Sequence, residues 1–124
     1  TAHDCGQPVN PLGLTGQLEG AISMAAGYGF LEDQPMEDGM IMNPNLVDYK
    51  LIRAPDMPET EVIEVETYEP EGPFGAKEAG EGLTNPTAAA LACAVLDAVG
   101  IAVKQLPITP EKVLNALKEK ESEQ

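Results

Sequence analysis

A chain of 124 residues and 13.1 kDa has the size of one compact domain, and division into two would leave too little core in each. Its apolar share of 43% can build a core, but three Tyr, two Phe and no Trp against 12 Gly and 11 Pro keep that core small and the chain rich in loops. The formal charge of -14, from 21 acids and 7 bases, excludes a nucleic-acid or anionic-membrane surface, where phosphates demand Lys and Arg.

The first fourteen residues carry Gly6, Pro8, Asn10, Pro11 and Gly13, which reads as turn punctuation and an ordered loop. Leu18, Ala21, Ile22, Ala25 and Tyr28 then recur at helical spacing and predict a helix over 16–28, with Thr15 as its cap and Gly27 and Gly29 closing it. From Glu32 to Thr60 the pattern is broken by five scattered Pro and Gly, with one extended stretch expected at 46–52. Such a long irregular span needs another surface to lie on. Residues 61–68 alternate, with Ile63, Val65 and Thr67 on one face and Glu64, Glu66 and Tyr68 on the other, the pattern of a half-buried strand.

Beyond four glycines at 72, 75, 80 and 82 comes Asn85-Pro86, read as an N-cap followed by the proline favoured at the first helical position. The helix that follows is apolar almost all round, with Ala88, Leu91, Ala92, Val95, Leu96 and Val99 as its strongest stripe, and it stops at Gly100. The stretch 82–101 is long enough to span a bilayer, but Asn85, Pro86, Thr87 and Asp97 favour a buried central helix instead. A last helix opens at Thr109-Pro110-Glu111, presents Val113, Leu114 and Leu117, and ends with Lys118 and Lys120, which suit its dipole. The expected fold is α+β, three helices with a few strands, one unit over 1–120 followed by a frayed tail at 121–124.

Two cysteines, Cys5 and Cys93, can make neither a disulfide framework nor the four thiolates of an iron–sulfur cluster, so a reducing, cytoplasmic setting is expected. No basic start with an apolar run and cleavage site is visible, and the first residue, Thr1, suggests a cut or processed piece.

Chemistry could sit in three places. The first is Gly75-Ala76-Lys77-Glu78-Ala79-Gly80-Glu81-Gly82, a glycine-spaced loop entering a helix, where backbone can approach a ligand closely. It lacks the order of a P-loop, and by spacing alone it reads first as a flexible connector with two solvated acids. Glu81, flanked by glycines beside the most apolar helix, is the candidate general base: burial there would favour its protonated form. The second is Gly16-Gln17-Leu18-Glu19-Gly20, whose two glycines are costly in a helix unless something packs on the backbone; Gln17 is either a cofactor contact or simply exposed. The third, His3-Asp4-Cys5, holds the chain's one histidine without further ligands at metal-binding spacing, so no residue is assigned to a metal and a satisfied polar turn is expected. Nine acids between Asp56 and Glu81 lack EF-hand spacing and read as a solvated face.

In their order these segments resemble the C-terminal part of the molybdenum-binding subunit of the xanthine dehydrogenase and aldehyde oxidase family. The resemblance rests on His3-Asp4-Cys5-Gly6 with Val9-Asn10-Pro11, Gly16-Gln17-Leu18-Glu19-Gly20 with Gly27-Tyr28-Gly29, Tyr49 with Asp56-Met57-Pro58, Gly72-Pro73-Phe74-Gly75-Ala76-Lys77 through Gly80-Glu81, and Leu106-Pro107-Ile108-Thr109-Pro110-Glu111. It covers nearly the whole chain. It implies a fragment of a molybdopterin-binding domain, with Glu81 as the general base that takes a proton from a molybdenum-bound hydroxide as it attacks an electrophilic carbon and hydride passes to a sulfide. It further implies pterin contacts at Gly16, Gln17, Ala76, Lys77, Glu78, Ala79 and Gly80, with the metal held by the pterin dithiolene.

The implied cofactor is a molybdenum-pterin in its cytosine-dinucleotide form, with iron–sulfur clusters and FAD on partner chains and a small-molecule substrate. Glu78 stands where most hydroxylases of the family have glycine, and with Glu69-Pro70-Glu71 it looks closest to the 4-hydroxybenzoyl-CoA reductase branch, so the direction of reaction stays open. Complete subunits are several times longer, and this chain is expected to be inactive without the rest of its subunit. The competing expectation is a small acidic interaction module derived from that subunit, with no chemistry of its own.

Overall fold

The computed structural model describes residues 1–122. Strand β1, Ala2–Asp4, leads into helix α1, Pro11–Phe30, then a hairpin of β2, Met36–Glu37, and β3, Met40–Ile41. Strand β4, Ile63–Val65, is followed by helix α2, Thr84–Val99, and helix α3, Pro110–Ser122. β1 and β4 pair in parallel, Ala2 opposite Ile63 and Asp4 opposite Val65, with α1 lying in the crossover that parallel strands require. The result is the expected α+β arrangement of three helices and a few short strands.

Helix α1 begins five residues earlier than the spacing of its apolar residues suggests. Asn10 is the cap: its Oδ1 accepts the Gly13 N–H at 3.0 Å, and Pro11 occupies the first turn, where its missing N–H costs nothing. Thr15 is therefore not the cap; its hydroxyl donates to Glu64 Oε1 at 2.7 Å and ties α1 to β4. Gly27 and Gly29 do not end the helix either. Gly29 lies under Leu91 of α2, where a Cβ would stand 3.3 Å from Leu91 Cδ1, and the Gly27 carbonyl accepts the Leu31 and Glu32 amides that close the last turn. The core is a small cluster on this helix, Leu14, Leu18, Ala21 and Ile22, joined by Cys5 and Leu83 and flanked by Val62 and Ala79.

Four other expectations are corrected. The first fourteen residues are not all loop, because β1 finds its partner some sixty residues away. The stretch 46–52 is not extended: Asn45 Oδ1 accepts the Val47 and Asp48 amides and folds the chain into a turn, the local competition that Asn side chains offer to strands. Along 62–65 the half-buried residues are Val62, just before β4, and Glu64, while Ile63 and Val65 stand 51% and 40% exposed on the opposite face. Helix α2 is not a buried element, since no residue in it is fully buried and only one face meets α1. Together with the turn before it, the stretch Glu81–Val99 has the length and mean hydropathy of a membrane span, 19 residues at 1.3, with 11% buried.

Nor does Asn85 cap α2. A 3₁₀ turn at Glu81–Leu83 runs directly into it, Leu83 holds the cap position without a side-chain bond, and Pro86 sits in the first turn. At the far end Gly100 adopts φ 70 and donates to Leu96 O, the left-handed stop that glycine makes inexpensive. α3 opens as expected on Thr109, whose Oγ1 accepts the Lys112 amide at 3.3 Å. Lys120 reaches back to the Gly100 carbonyl at 3.2 Å. Glu121 and Ser122 continue α3, and the rest of the expected frayed tail, 123–124, lies outside the described residues.

Candidate active site

The glycine loop 75–82 is laid along the N-terminal strand by backbone. Gln7 donates to Gly75 O at 2.8 Å, Lys77 donates to Cys5 O at 2.9 Å, and Gly6 bridges Ala76. Such close approach needs the missing side chain of Gly6, whose φ is +66 and whose Cβ would stand 2.4 Å from Gly75 O. Side chains add a second set of ties. Asp4 accepts from Lys77 Nζ at 2.6 Å, from the Thr67 hydroxyl at 2.8 Å and from the Gly6 amide at 3.0 Å. The Lys77 hydrogen bond, helped by Gly6 and Thr67, lowers the Asp4 carboxyl from its usual 3.8 to about 2, and the same bond raises the Lys77 ammonium. His3 Nε2 bonds the Glu78 carbonyl at 3.2 Å. The expected polar turn at His3-Asp4-Cys5 is thus a strand whose side chains brace the loop. Burial pushes the Cys5 thiol up.

These ties carry the far end of the loop over α1. There Gly16, Gln17, Gly20, Ala21 and Met24 form one helix face, since positions three and four apart stack on the same side. This face, with Gly80, Glu81 and Thr84 opposite, encloses a hollow of about 400 Å³. The two glycine-marked segments, 60 residues apart in the chain, therefore meet in one place. A Cβ at Gly16 or Gly20 would meet nothing within 4 Å, so the helix backbone is bare toward open space. One at Gly80 would lie 3.8 Å from Gln17 Oε1, which measures how closely the loop passes Gln17. The far rim is fixed by Tyr28, whose hydroxyl donates to Thr84 O at 2.7 Å and so pins the start of α2 to α1.

The proposed residues divide over two hollows that share Gln17. Gly16, Gln17, Gly80 and Glu81 line the first; Gln17, Ala76, Lys77 and Ala79 line a neighbouring one of about 270 Å³ below the N-terminal turn. Glu78 lines neither; its Oε1 accepts the Glu81 amide at 3.1 Å. Lys77 lines the second hollow while its ammonium is held by Asp4. The expectation of a buried Glu81 is corrected: among the described residues nothing covers its side chain, which is exposed at the rim of the hollow. Among the described residues no group of three or more His, Cys, Asp or Glu is placed to hold a metal.

Met24 and Thr84 were not anticipated at the site, although Met24 follows Gln17 and Ala21 at helical spacing. A larger hollow of about 640 Å³ was also missed, between Phe30 and the segment Leu46–Arg53. Within it the Tyr49 hydroxyl donates to Glu32, and that bond raises the Tyr49 phenol.

Residues 1–58 match the family described as molybdopterin cofactor-binding domain. The chain is 40% identical over 113 residues to the xanthine dehydrogenase molybdenum-binding subunit of Escherichia coli O157:H7, an alignment that takes in 90% of this chain and 15% of that subunit. Its fold superposes on quinoline 2-oxidoreductase from Pseudomonas putida 86 with a TM-score of 0.88 and 32% identity, covering 95% of this chain and 16% of that one. With aldehyde oxidoreductase from Desulfovibrio gigas the TM-score is 0.82 at 31% identity, over 94% of this chain and 13% of that one. The chain thus spans about one seventh of the length of these relatives.

Proposed function

The chain belongs to the xanthine dehydrogenase and aldehyde oxidase family of molybdenum-binding proteins, and we propose that it supplies the general base and one wall of the pterin site of a molybdenum oxidoreductase. The observation that carries this reading is the convergence of Glu81, Gln17 and the bare glycine face of α1 on one hollow of about 400 Å³. The residues present suit a pterin: Gly16 and Gly20 leave room that a Cβ would fill, so a flat heterocycle can approach the helix backbone, and Gln17 offers both a donor and an acceptor. Gly16, Gln17 and the loop at Ala76, Ala79 and Gly80 would hold the pterin, with Lys77 and Glu78 mounting that loop. The cofactor, when bound, supplies oxygen transfer and a two-electron redox centre.

The part of this chain in the reaction is proton transfer. The Glu81 carboxylate accepts a proton at Oε during attack on the substrate carbon, and the loop ties to Asp4 and His3 keep it facing the hollow. In this reading the remainder of the subunit covers Glu81 and the exposed faces of α2 and β4, and excludes water from the site. The cytosine-dinucleotide form of the pterin, iron–sulfur and flavin partner subunits and a cytoplasmic setting belong to the same proposal. So does the absence of turnover by the 124-residue chain alone. Oxidation is the direction we favour, since relatives bear names such as xanthine dehydrogenase and nicotinate dehydrogenase.

The test is Glu81→Gln in the complete, molybdenum-loaded enzyme. Turnover is expected to fall by roughly 100-fold to 10,000-fold with molybdenum and pterin content unchanged. Turnover near that of the unmodified enzyme would remove Glu81 from the mechanism. Gln17→Ala is expected instead to lower pterin retention.

A further inference from the structure

Glu81 is flanked by Gly80 and Gly82, the two residues least able to fix a backbone direction by themselves. A base must nevertheless be held to a fraction of an ångström if it is to meet a proton in flight. Two ties reach this point of the loop. Glu78 Oε1 accepts the Glu81 amide at 3.1 Å, and the Glu78 carbonyl is bonded by His3 Nε2 at 3.2 Å. Glu78 therefore links the β1 strand to the amide of the residue that bears the carboxylate. The space around it is tight as well: a Cβ on Gly82 would lie 3.1 Å from Glu78 Oε2 and 2.8 Å from His3 Cε1, so the carboxylate and the imidazole both lie against that glycine.

We infer that Glu78 is a positioning residue for Glu81: its carboxylate holds the Glu81 backbone amide and so sets the direction in which the Glu81 side chain enters the hollow. Glu78 lines no part of that hollow and acts only through Glu81. A charged acceptor makes a stronger hold than a neutral one, yet a glutamine keeps an oxygen at the same reach. The chemistry thus separates Glu78→Gln, which retains the contact, from Glu78→Ala, which removes it. This inference rests on Glu81 as the base, and its first readout does not.

The experiment follows amide hydrogen exchange in peptides spanning 78–84 of the complete enzyme, together with steady-state kinetics, for both variants. In Glu78→Ala the Glu81 amide is expected to exchange roughly 3-fold to 10-fold faster, the range one net hydrogen bond allows. Its kcat is expected to fall by up to about 100-fold with KM unchanged, since a displaced base weakens chemistry and not binding. Glu78→Gln restores both. Because Glu78 is exposed, both variants are expected to fold, and should the alanine form fail, loss of exchange protection in Glu78→Gln would itself count against a contact that glutamine can keep. Unchanged exchange in Glu78→Ala, while Glu81→Gln abolishes turnover, overturns the role of Glu78 alone. Faster exchange with turnover indifferent to both substitutions upholds the contact and overturns the role of Glu81.

Discussion

Gly6→Ala is the substitution that most directly tests how the loop is held. Gly6 has φ +66, where an alanine costs about 1 kcal/mol in steric strain. Its Cβ would then stand 2.4 Å from Gly75 O, 2.8 Å from Lys77 N and 3.0 Å from Ala76 C, all of them backbone atoms with no flexible end to swing aside. The Gly75 carbonyl has to retreat by about 0.6 Å merely to reach the 3.0 Å limit of real Cβ contacts. That retreat stretches the bonds from Gln7 to Gly75 and from Lys77 to Cys5, now 2.8 and 2.9 Å, toward or past the reach of a hydrogen bond. With each bond contributing about 1 kcal/mol net, the local loss comes to about 3 kcal/mol. The assay is amide exchange at Gln7 and Lys77 in the complete enzyme, with kcat alongside: both amides lose protection by roughly 100-fold, and kcat falls because Glu81 rides on the displaced loop. Full protection of both amides in Gly6→Ala would refute the bracing of the loop by the N-terminal strand.

Two other outcomes follow from the same contacts. Asp4 has a folded-state carboxyl at about 2 against 3.8 when free, so its ties to Lys77, Thr67 and Gly6 stabilise the loop above about pH 4 and are lost as the pH falls through 2; Asp4→Asn should abolish this acid step in loop exchange, and an identical step in the variant would assign it to another group. Leu18, with no exposed surface at the centre of a small core, should cost about 2 to 5 kcal/mol when cut to alanine, measured by urea denaturation, and a loss below about 1 kcal/mol would mean that the cluster under the site collapses to fill the gap.

What could be read of the fold from sequence follows the range of the forces involved. The three helices were legible because their periodicity and the Gly100 and Thr109 signals are local. Strand β1 was not, since three residues become a strand only by pairing with Ile63–Val65 across a helical crossover. The hairpin at 36–41 has a local signal in Asp38-Gly39, whose φ values are 48 and 80, but Pro35 and Pro44 on either side break the alternation that would mark its strands. Helix α2 misled for a different reason. An apolar composition predicts that a helix will be covered but not by what, and among the described residues α1 is the main element packed against it, leaving no residue of α2 fully buried.

The site shows the same division between local and distant information. Gly16, Gln17 and Gly20 mark a bare helix face because two glycines there weaken α1 with no turn to justify them, so the cost points to something lying on the backbone. Glu81 stood out by its glycine neighbours. That the two lie across one hollow depended on the Asp4, Gly6 and His3 ties, none of which has a spacing signature, and Lys77 illustrates the consequence. Its place in the motif suggested a cofactor contact, whereas its ammonium is spent on Asp4 and its backbone on Cys5, which makes it part of the mounting for the loop. Glu78 differs again: the residue that looks like a departure from the family pattern is the one that grips the Glu81 amide. A glycine at that position would leave the Glu81 amide without this acceptor, so the same loop with glycine there has to be held by other contacts.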